Sequence, residues 1–319
     1  MSSHDVREII KDEAKMKTEL SRQCDQAFLK LPPNVKRWLN EKSLLVKTSN
    51  NITMGKIVLS DYREYLERNK KAILSFSGGK DSTCLLLMML EKGMKLDYIL
   101  FCDTGAEFPE MYEHIDKVEK YISEKYGKHI TVLKSDEGDF EKVLFQHKRV
   151  KGKNTDLPGY GWPSFGIRWC TKTLKVIPVK KFMRMHGLTK ANTKQYIGIA
   201  ADEPKRVHDD IYPLFEWGIT ERQALQYCYD HGFYWGGLYE YSDRLSCWLC
   251  PLQSIASLKS LYIHHRELWE KLKKMDDQVI ANGHKWRYRQ FHEGDLTLTQ
   301  WEERFKREIE YEKREMSLF

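Results

Sequence analysis

A short glycine-containing loop is the clearest candidate for chemistry in this chain, with the sequence Ser77-Gly78-Gly79-Lys80-Asp81-Ser82. Two glycines let a backbone approach a ligand closely, and free N–H groups at a helix start attract phosphate. The lysine adds a positive charge and the last serine a hydroxyl. A Walker loop needs the spacing GxxxxGK[ST], which this chain lacks, so a GTPase-like or kinase-like motor is disfavoured. The loop therefore predicts a phosphate site of another kind.

Two of the seven cysteines form a CxxC pair, Cys247 and Cys250, which Pro251 follows. Thiols at this spacing can chelate one metal from a tight turn, although structural zinc needs four ligands. The cysteine count is odd and the chain is too large to depend on disulfides, so reduced thiols or a metal site are expected. Cys84, in an apolar helix, and Cys102, at a strand end, are predicted to face the core.

Positive charge is concentrated in residues 142–190, which hold twelve Lys or Arg and a single acid, Asp156. The net charge of the whole chain is only +7. This excess indicates a surface that faces a polyanion, with a solvated charged loop as the alternative. Nucleic acid is the simplest such partner, because phosphate contacts need Lys and Arg but no sequence motif. Trp162, Phe165 and Trp169 lie in the same segment and either stack on bases or pack against the sheet.

Predicted strands that alternate with predicted helices must position these residues. Helices follow the first two of four predicted strands, and the strands span 72–76, 97–102, 129–133 and 195–200. This order predicts an α/β fold, a parallel twisted sheet with helices on both faces and helical N- and C-terminal extensions. Ligands of such sheets bind beyond the carboxyl ends of the strands, which is where the glycine-containing loop lies.

Length and composition limit the class of protein. A chain of 319 residues suggests about two domains, and 41% hydrophobic with 12% aromatic residues argues against disorder. No run approaches the roughly 20 apolar residues of a membrane helix, and the charged first residues do not resemble a secretory signal. We expect a cytoplasmic protein with no membrane partner. Its predicted regions are a helical extension (1–70), a nucleotide-binding domain (71–205) and a mainly helical region carrying the CxxC pair (206–319).

In its strand–turn–helix setting, the loop resembles the pyrophosphate loop of the PP-loop ATP pyrophosphatases, the adenine-nucleotide α-hydrolase superfamily. Four more segments resemble the phosphoadenosine-phosphosulfate (PAPS) reductase family and its DndC-type DNA-phosphorothioation relatives. They are ILFCDTGAEFPEMYEHI (99–115), the stretch 168–178, GIAADE with the arginine that follows (198–206) and SCWLCP (246–251). The resemblance covers 72–253, over half of the chain.

The resemblance implies a nucleotide reaction. In the superfamily the loop binds the β- and γ-phosphates of ATP, a substrate attacks the α-phosphorus, and pyrophosphate leaves. ATP and Mg²⁺ are therefore the implied cofactors, and Lys80, Asp81 and Arg206 the implied catalytic residues. Glu203 or Asp202 would contact Mg²⁺ or the substrate, with a helix cap or surface charge as the alternative for Asp202. The implied nucleotide site comprises Ser75, Ser77, Gly78, Gly79, Lys80, Asp81, Ser82, Asp103, Thr104, Gly105, Gly198 and Glu203.

The resemblance also implies a metal site. Cys170 is the third ligand by family position, beside Cys247 and Cys250. Three cysteines in this family arrangement imply an iron–sulfur cluster of the [4Fe-4S] type, with one iron open to substrate or sulfide. Zinc with a fourth ligand, for which Cys228 is a candidate, and buried reduced thiols are the alternatives.

Two departures from the reductases affect the predicted reaction. Trp169-Cys170 stands where they have paired cysteines, and Cys250 is the last cysteine, whereas their nucleophilic thiol lies in a C-terminal tail. We therefore predict an enzyme that adenylates a substrate for sulfur incorporation. Nucleic acid bound by 142–190 is the expected acceptor, and a partner such as a cysteine desulfurase is the expected sulfur donor. The alternatives are a sulfonucleotide reductase that uses Cys170 or a partner's thiol, and a non-catalytic ATP-binding regulatory subunit.

Overall fold

Four parallel strands form the sheet of this protein. The computed structural model describes residues 69–147, 155–292 and 294–316. The strands follow one another in space as β3-β2-β1-β4, and their bounds are β1 (Lys71–Ser75), β2 (Tyr98–Cys102), β3 (Ile130–Leu133) and β4 (Thr193–Ile197). All pairings are parallel, with Ser75 opposite Leu100 on one side and Ile197 on the other. The loops that follow β1, β2 and β4 therefore meet at one edge of the sheet, as the sequence predicts.

Helices connect the strands and make up most of the chain after them. Those between the strands are α1 (Lys80–Glu91), α2 (Pro109–Tyr126), α3 (Phe140–Phe145) and α4 (Ile177–Met185). A π-helical turn, Thr171–Val176, leads directly into α4. The later helices are α5 (Pro213–Glu216), α6 (Glu221–Asp230), α7 (Ile255–His264), α8 (Arg266–Ala281) and α9 (Leu298–Met316). Single 3₁₀ turns occupy Pro204–Arg206 and Trp235–Glu240.

The helix after the glycine-containing loop is buried on nearly all sides. The apolar run of α1 lies between the sheet and α6, and Leu85, Leu86 and Met89 are completely buried. Such a helix has little freedom to move, because each of its faces packs against another element. The amino end of α1, where the loop meets it, is therefore held in a fixed position.

A second hydrophobic core joins the C-terminal helices to the cysteine segments. Trp269, Tyr262 and Phe305 are buried there together with α3. Trp169, next to Cys170, and Trp248, between the CxxC cysteines, belong to the same cluster. Packing of these tryptophans fixes the backbone on which the cysteines stand.

Predicted and observed bounds agree closely except at the last strand. The predicted α/β fold class, with its parallel sheet and helices, is confirmed. The last strand ends at Ile197 rather than at residue 200, and the backbone beyond it turns toward the start of α1. Of the predicted helical extension over 1–70, all but the last two residues lie outside the described residues, and the boundary at 205 stays a prediction.

Candidate functional site

Residues 77–82, called the phosphate loop below, are closed by the side chain at their end. The Ser82 hydroxyl lies 3.2 Å from the Ser77 backbone N–H, which donates to it, and itself donates to the Gly79 carbonyl. Gly78 has a φ of +80°, and a Cβ there would lie 2.8 Å from the sulfur of Met111. Only glycine fits this turn without strain, which explains the glycine that begins the pair.

Three buried side chains support the phosphate loop from behind. Trp235 Nε1 donates to the Gly78 carbonyl at 2.7 Å, and the Thr83 hydroxyl donates to the same oxygen at 3.3 Å. His114 contacts the Thr83 hydroxyl at 3.1 Å and stacks on the Trp235 ring. Burial lowers the pKa of His114 to about 3, so the imidazole is neutral. Neither His114 nor Trp235 carries a motif that would have marked it in the sequence.

Lys80 is turned into the protein. Its ammonium lies 3.6 Å from an Asp81 oxygen and 3.4 Å from a Glu221 oxygen, and its side chain is 6% exposed. It also lies 3.4 Å from the Asp243 carbonyl. Its backbone N–H, the first of α1, donates to the Tyr239 hydroxyl at 2.9 Å. In the structure Lys80 thus balances the charge of neighbouring carboxylates. Its direct contact with a bound phosphate stays a prediction.

Three carboxylates converge beside the phosphate loop. Asp81, Glu203 and Glu221 each bring an oxygen within 4.8 Å of the others, the spacing of a site for a divalent cation. One oxygen of Asp81 is buried without a hydrogen-bond partner, and burial raises the pKa of this carboxyl to about 6. Arg206 donates to Glu203 at 2.5 and 2.6 Å. Asp202 instead accepts from the Glu221 backbone N–H, so the cap role is the one observed.

The loop after β2 supplies one residue that is free to bind a ligand. The Thr104 hydroxyl is buried and has no hydrogen-bond partner. Asp103, in contrast, accepts from Tyr112 at 2.8 Å and from the Gly105 backbone N–H at 3.0 Å. Burial by itself would raise the pKa of Asp103, but these hydrogen bonds and Lys134 hold it below its usual value. Asp103 therefore shapes the loop, and Thr104 faces the site.

A cavity of about 740 Å³ joins the phosphate loop to the three predicted metal ligands. The predicted residues that line it are Ser77, Gly79, Lys80, Asp81, Ser82, Thr104, Cys170, Gly198, Arg206, Cys247 and Cys250. The other predicted residues are adjacent in the chain but do not line it, namely Ser75, Gly78, Asp103, Gly105 and Glu203. The structure thus brings the glycine-containing loop and the three cysteines, which are distant in sequence, to one space.

A buried carboxylate and a lysine accompany the cysteines. Cys247 Sγ donates to Glu107 Oε1 at 3.7 Å, and the Lys175 ammonium lies 3.9 Å from the same oxygen. Burial raises the pKa of Cys247, of Cys250 and of Glu107. Burial disfavours thiolates, whereas a metal cation stabilises them, so this donor set suits a metal. Glu107 was not predicted, because only the tertiary structure brings it to the cysteines.

Two further cysteines among the described residues lie away from this group. Cys84 and Cys228 are completely buried in the first core, where Cys228 Sγ donates to the Lys80 carbonyl at 3.5 Å. The suggestion that Cys228 is a fourth ligand is therefore wrong, because it lies behind α1. Cys102 is half-buried at the end of β2 and directs its thiol to the Lys175 carbonyl.

Two of the three aromatic residues considered for base stacking are structural. Trp169 is 5% exposed and donates to the Gly161 carbonyl, and Trp162 donates to Asp276. The Phe165 ring, in contrast, is 70% exposed and contacts Phe291. Base stacking is therefore available to Phe165 alone among these three. Residues 148–154 of the segment lie outside the described residues.

Comparison with known proteins assigns the family. The model described as "Phosphoadenosine phosphosulfate reductase domain" matches residues 71–253, more than half of the chain. The protein belongs to this family, as the sequence motifs indicate. Its nucleotide- and sulfur-related character follows from that membership. No helix among the described residues combines the length and apolar character needed to cross a bilayer.

Three proteins of known sequence are similar to part of this chain. Uncharacterized protein MJ0066 of Methanocaldococcus jannaschii is 28% identical over 228 residues, covering 65% of this chain and 42% of that protein. MJ0973 of the same organism is 26% identical, covering 67% and 49%. The uncharacterized nin region protein ORF290 of Escherichia phage lambda is 33% identical, covering 42% and 50%. The chain thus spans about half the length of the curated relatives it matches.

Two solved structures are similar at low identity. A PAPS reductase from Candida auris in complex with phosphate has 16% identity and a TM-score of 0.39, covering 71% of this chain and 93% of that one. The U34-tRNA thiolase NcsA from Methanococcus maripaludis, with its [4Fe-4S] cluster, has 16% identity and a TM-score of 0.34, covering 72% and 77%.

Proposed function

We propose that this protein is an ATP pyrophosphatase that adenylates a substrate for sulfur incorporation. The observation that carries the proposal is the single cavity that joins the phosphate loop to three cysteines. A nucleotide and a sulfur-handling group could act on one substrate in such a space. Family membership over 71–253 supports the same class of chemistry.

The phosphate-loop end of the cavity would bind ATP. Backbone N–H groups at the start of α1 attract the β- and γ-phosphates, and Thr104 offers a hydroxyl without a partner. Mg²⁺ would be held by the carboxylates of Asp81, Glu203 and Glu221, since hard cations prefer oxygen ligands. Arg206, at the edge of the same cavity, would balance charge on the α-phosphate.

The proposed reaction has two steps. An acceptor oxygen forms a bond to the α-phosphorus of ATP while the bond to pyrophosphate breaks, which leaves the acceptor adenylated. Sulfide then forms a bond to the activated carbon of the acceptor, and AMP leaves with the oxygen that had joined it to that carbon. A persulfide donor, such as a cysteine desulfurase, would supply this sulfide only together with a two-electron thiol reductant. The protein's main contribution is to position the reactants and neutralise charge in a shielded cavity.

Cys170, Cys247 and Cys250 would hold a [4Fe-4S] cluster, whose open iron supplies a binding place for sulfide. Zinc is the alternative. A zinc ion would need a fourth ligand beside the three sulfurs.

Nucleic acid is the proposed acceptor. Arg168 and Arg244 line the cavity, and Arg168 is exposed within the basic segment 142–190. Arginines at a cavity mouth suit the phosphates of a polynucleotide, and the exposed Phe165 ring could stack on a base.

Pyrophosphate release from ATP with Mg²⁺, measured with and without RNA or DNA and sulfide, tests the proposal. Asp81→Asn should lower the rate about 100-fold or more, because it removes charge from the cation site. The matched control is Asp116→Asn, which should leave the rate unchanged because Asp116 is an exposed carboxylate on α2. Equal rates in wild type and Asp81→Asn would exclude the mechanism. Sulfite release from PAPS with a thiol would favour a reductase instead, and tight ATP binding without turnover a regulatory subunit.

Metal content is tested separately by anaerobic purification and by counting iron, sulfide and zinc. The proposal expects about four irons per chain. Cys247→Ser should then lose the brown colour, whereas Cys102→Ser, outside the proposed ligand set, should keep it. A colourless wild type that holds zinc would contradict the cluster and leave the adenylation step standing.

A further inference from the structure

The cysteine loop, residues 247–253, is held by a segment outside the part of the chain that matches the family model. The Tyr288 hydroxyl donates to the Cys250 carbonyl at 2.7 Å. Arg289 Nη1 donates to the Pro251 carbonyl at 3.0 Å and also to the Gln253 carbonyl. Three of the last four carbonyls of the loop are therefore bound by two neighbouring side chains.

The contact is reinforced from both sides. Gln253 Nε2 donates back to the Tyr288 hydroxyl at 2.8 Å, so this oxygen bridges two positions of the cysteine loop. Inside the loop, the Cys250 backbone N–H donates to the Cys247 carbonyl at 3.0 Å. The two cysteines are thus joined by a tight turn, and the loop that contains it is held through the carbonyls of Cys250, Pro251 and Gln253.

Tyr288 itself is fixed in the second core. Its side chain is completely buried, and its backbone N–H donates to Asp276 at 2.5 Å. Asp276 also accepts from Trp162 Nε1 at 2.9 Å and from Arg287 at 3.1 Å. A buried carboxylate with three donors is a rigid anchor, because moving any donor would leave charge without a partner.

The backbone of Arg289 is strained. Its φ is +59°, in the left-handed region that residues other than glycine rarely adopt. Strain of this kind persists only where the surroundings impose it, and it concentrates at functional sites. At Arg289 the left-handed turn accompanies a side chain that contacts two carbonyls of the cysteine loop.

We infer that Tyr288 and Arg289 are positioning residues for the metal centre of Cys247 and Cys250. They hold the cysteine loop in its turn before metal binds, so less conformational freedom is lost on binding. The inference rests on the proposed function for the identity of the metal site. Partners beyond the direct ligands commonly change metal affinity by roughly 10- to 100-fold.

Cobalt(II) binding to the full-length, metal-free chain tests this inference, because cobalt–thiolate absorption reports the ligands without ATP turnover. Arg289→Gly removes the side chain and also relieves the strain, since glycine adopts positive φ freely. We expect roughly 10- to 100-fold weaker cobalt binding with less intense thiolate absorption. Tyr288→Phe should show the same change, and Arg289→Lys should recover part of the affinity. Arg304→Ala, which removes an arginine paired with Glu308 on α9, should bind cobalt like wild type.

The melting temperature of each metal-free variant separates positioning from general support of the fold. Relieved strain offsets lost hydrogen bonds in Arg289→Gly, so its midpoint should stay within about 4 °C of wild type. Wild-type cobalt affinity in both Arg289→Gly and Tyr288→Phe would overturn the inference. Weak cobalt binding together with a much lower melting temperature, and no recovery of cobalt affinity in Arg289→Lys, would also overturn the inference. If the wild type releases no pyrophosphate but still binds cobalt more tightly than Arg289→Gly and Tyr288→Phe, only the proposed function is refuted.

Discussion

Replacing Lys80 with alanine tests whether this lysine supports the fold by pairing with carboxylates, as the structure shows, or serves phosphate alone, as its motif implies. A lysine that serves phosphate alone could be removed without harm to the unbound protein. In the structure, however, its ammonium lies within 3.6 Å of Asp81 and within 3.4 Å of Glu221. Lys80→Ala would leave these two carboxylates, which lie beside Glu203, without their nearest cation. We therefore expect a loss of folding stability even in the absence of ATP.

The size of the loss follows from burial. Removing one partner of a fully buried ion pair costs roughly 3–5 kcal/mol. The side chains of Asp81 and Glu221 are 17% and 33% exposed, so solvent weakens the effect. We expect about 2 kcal/mol, and since about 1 kcal/mol shifts the midpoint of a chain of this size by about 2–4 °C, the midpoint should fall by about 4–8 °C.

The assay is thermal unfolding with and without Mg²⁺. Lys71→Ala is the matched control, because Lys71 is 48% exposed and pairs with Asp97 at 2.8 Å at the start of β1. An exposed pair contributes at most about 1 kcal/mol. Mg²⁺ at ten times its Kd should restore about 1.4 kcal/mol to Lys80→Ala by occupying the carboxylates. Equal stability of the two variants, or no response to Mg²⁺, would refute this account of Lys80.

Three further predictions concern the support of the phosphate loop. The pKa of His114 is about 3 in the folded chain, below its value of about 6.5 in the unfolded chain. The folding stability that the neutral imidazole contributes is therefore complete above pH 6.5 and is lost as the pH falls toward 3. Urea unfolding at about pH 4.5 should show roughly 3 kcal/mol less stability than at neutral pH, a loss that His114→Phe removes. Gly198→Ala would place a Cβ 2.8 Å from the backbone of α1 and should destabilise the chain by about 1–3 kcal/mol in the same assay. Trp235→Phe removes the donor to the Gly78 carbonyl and should weaken ATP binding in calorimetry by about 1–3 kcal/mol.

Each of these has a control or a contradicting result. Gly166→Ala has open space around its Cβ and should leave stability unchanged. A pH profile that is the same in wild type and His114→Phe would mean that another group controls acid stability. ATP affinity that survives Trp235→Phe would mean that the loop holds its shape without the indole.

Local sequence was enough to predict the sheet and the phosphate loop. Apolar runs of strand length and a glycine pair are read from neighbouring residues. The ends of α2 are local features of the same kind, because Pro109 starts the helix and Gly127 stops it. The same holds for the CxxC pair, whose chemistry depends on spacing within one turn. The predicted strand over 195–200 was too long, since a contact with α1 ends it early.

Partners from distant parts of the chain could not be predicted in this way. Glu107 meets Cys247 across 140 residues, and Tyr239 meets Lys80 across 159. No local pattern gives either residue this role, although Glu107 lies within the family-like segment 99–115, because the role depends on which loops the sheet order brings together. The choice between stacking and packing for Trp169 was left open for the same reason, and in the structure the second core buries that ring.

The sequence by itself determined the parallel α/β class and marked the glycine-containing loop and the CxxC pair, because these depend on local pattern and residue type. Only the tertiary structure decided that one cavity contains both sites, that Lys80 turns inward to carboxylates, and that Tyr288 and Arg289 hold the cysteine loop. These contacts depend on the packing of two hydrophobic cores. That packing determines which side chains meet when they are far apart in the sequence, and no local pattern encodes it.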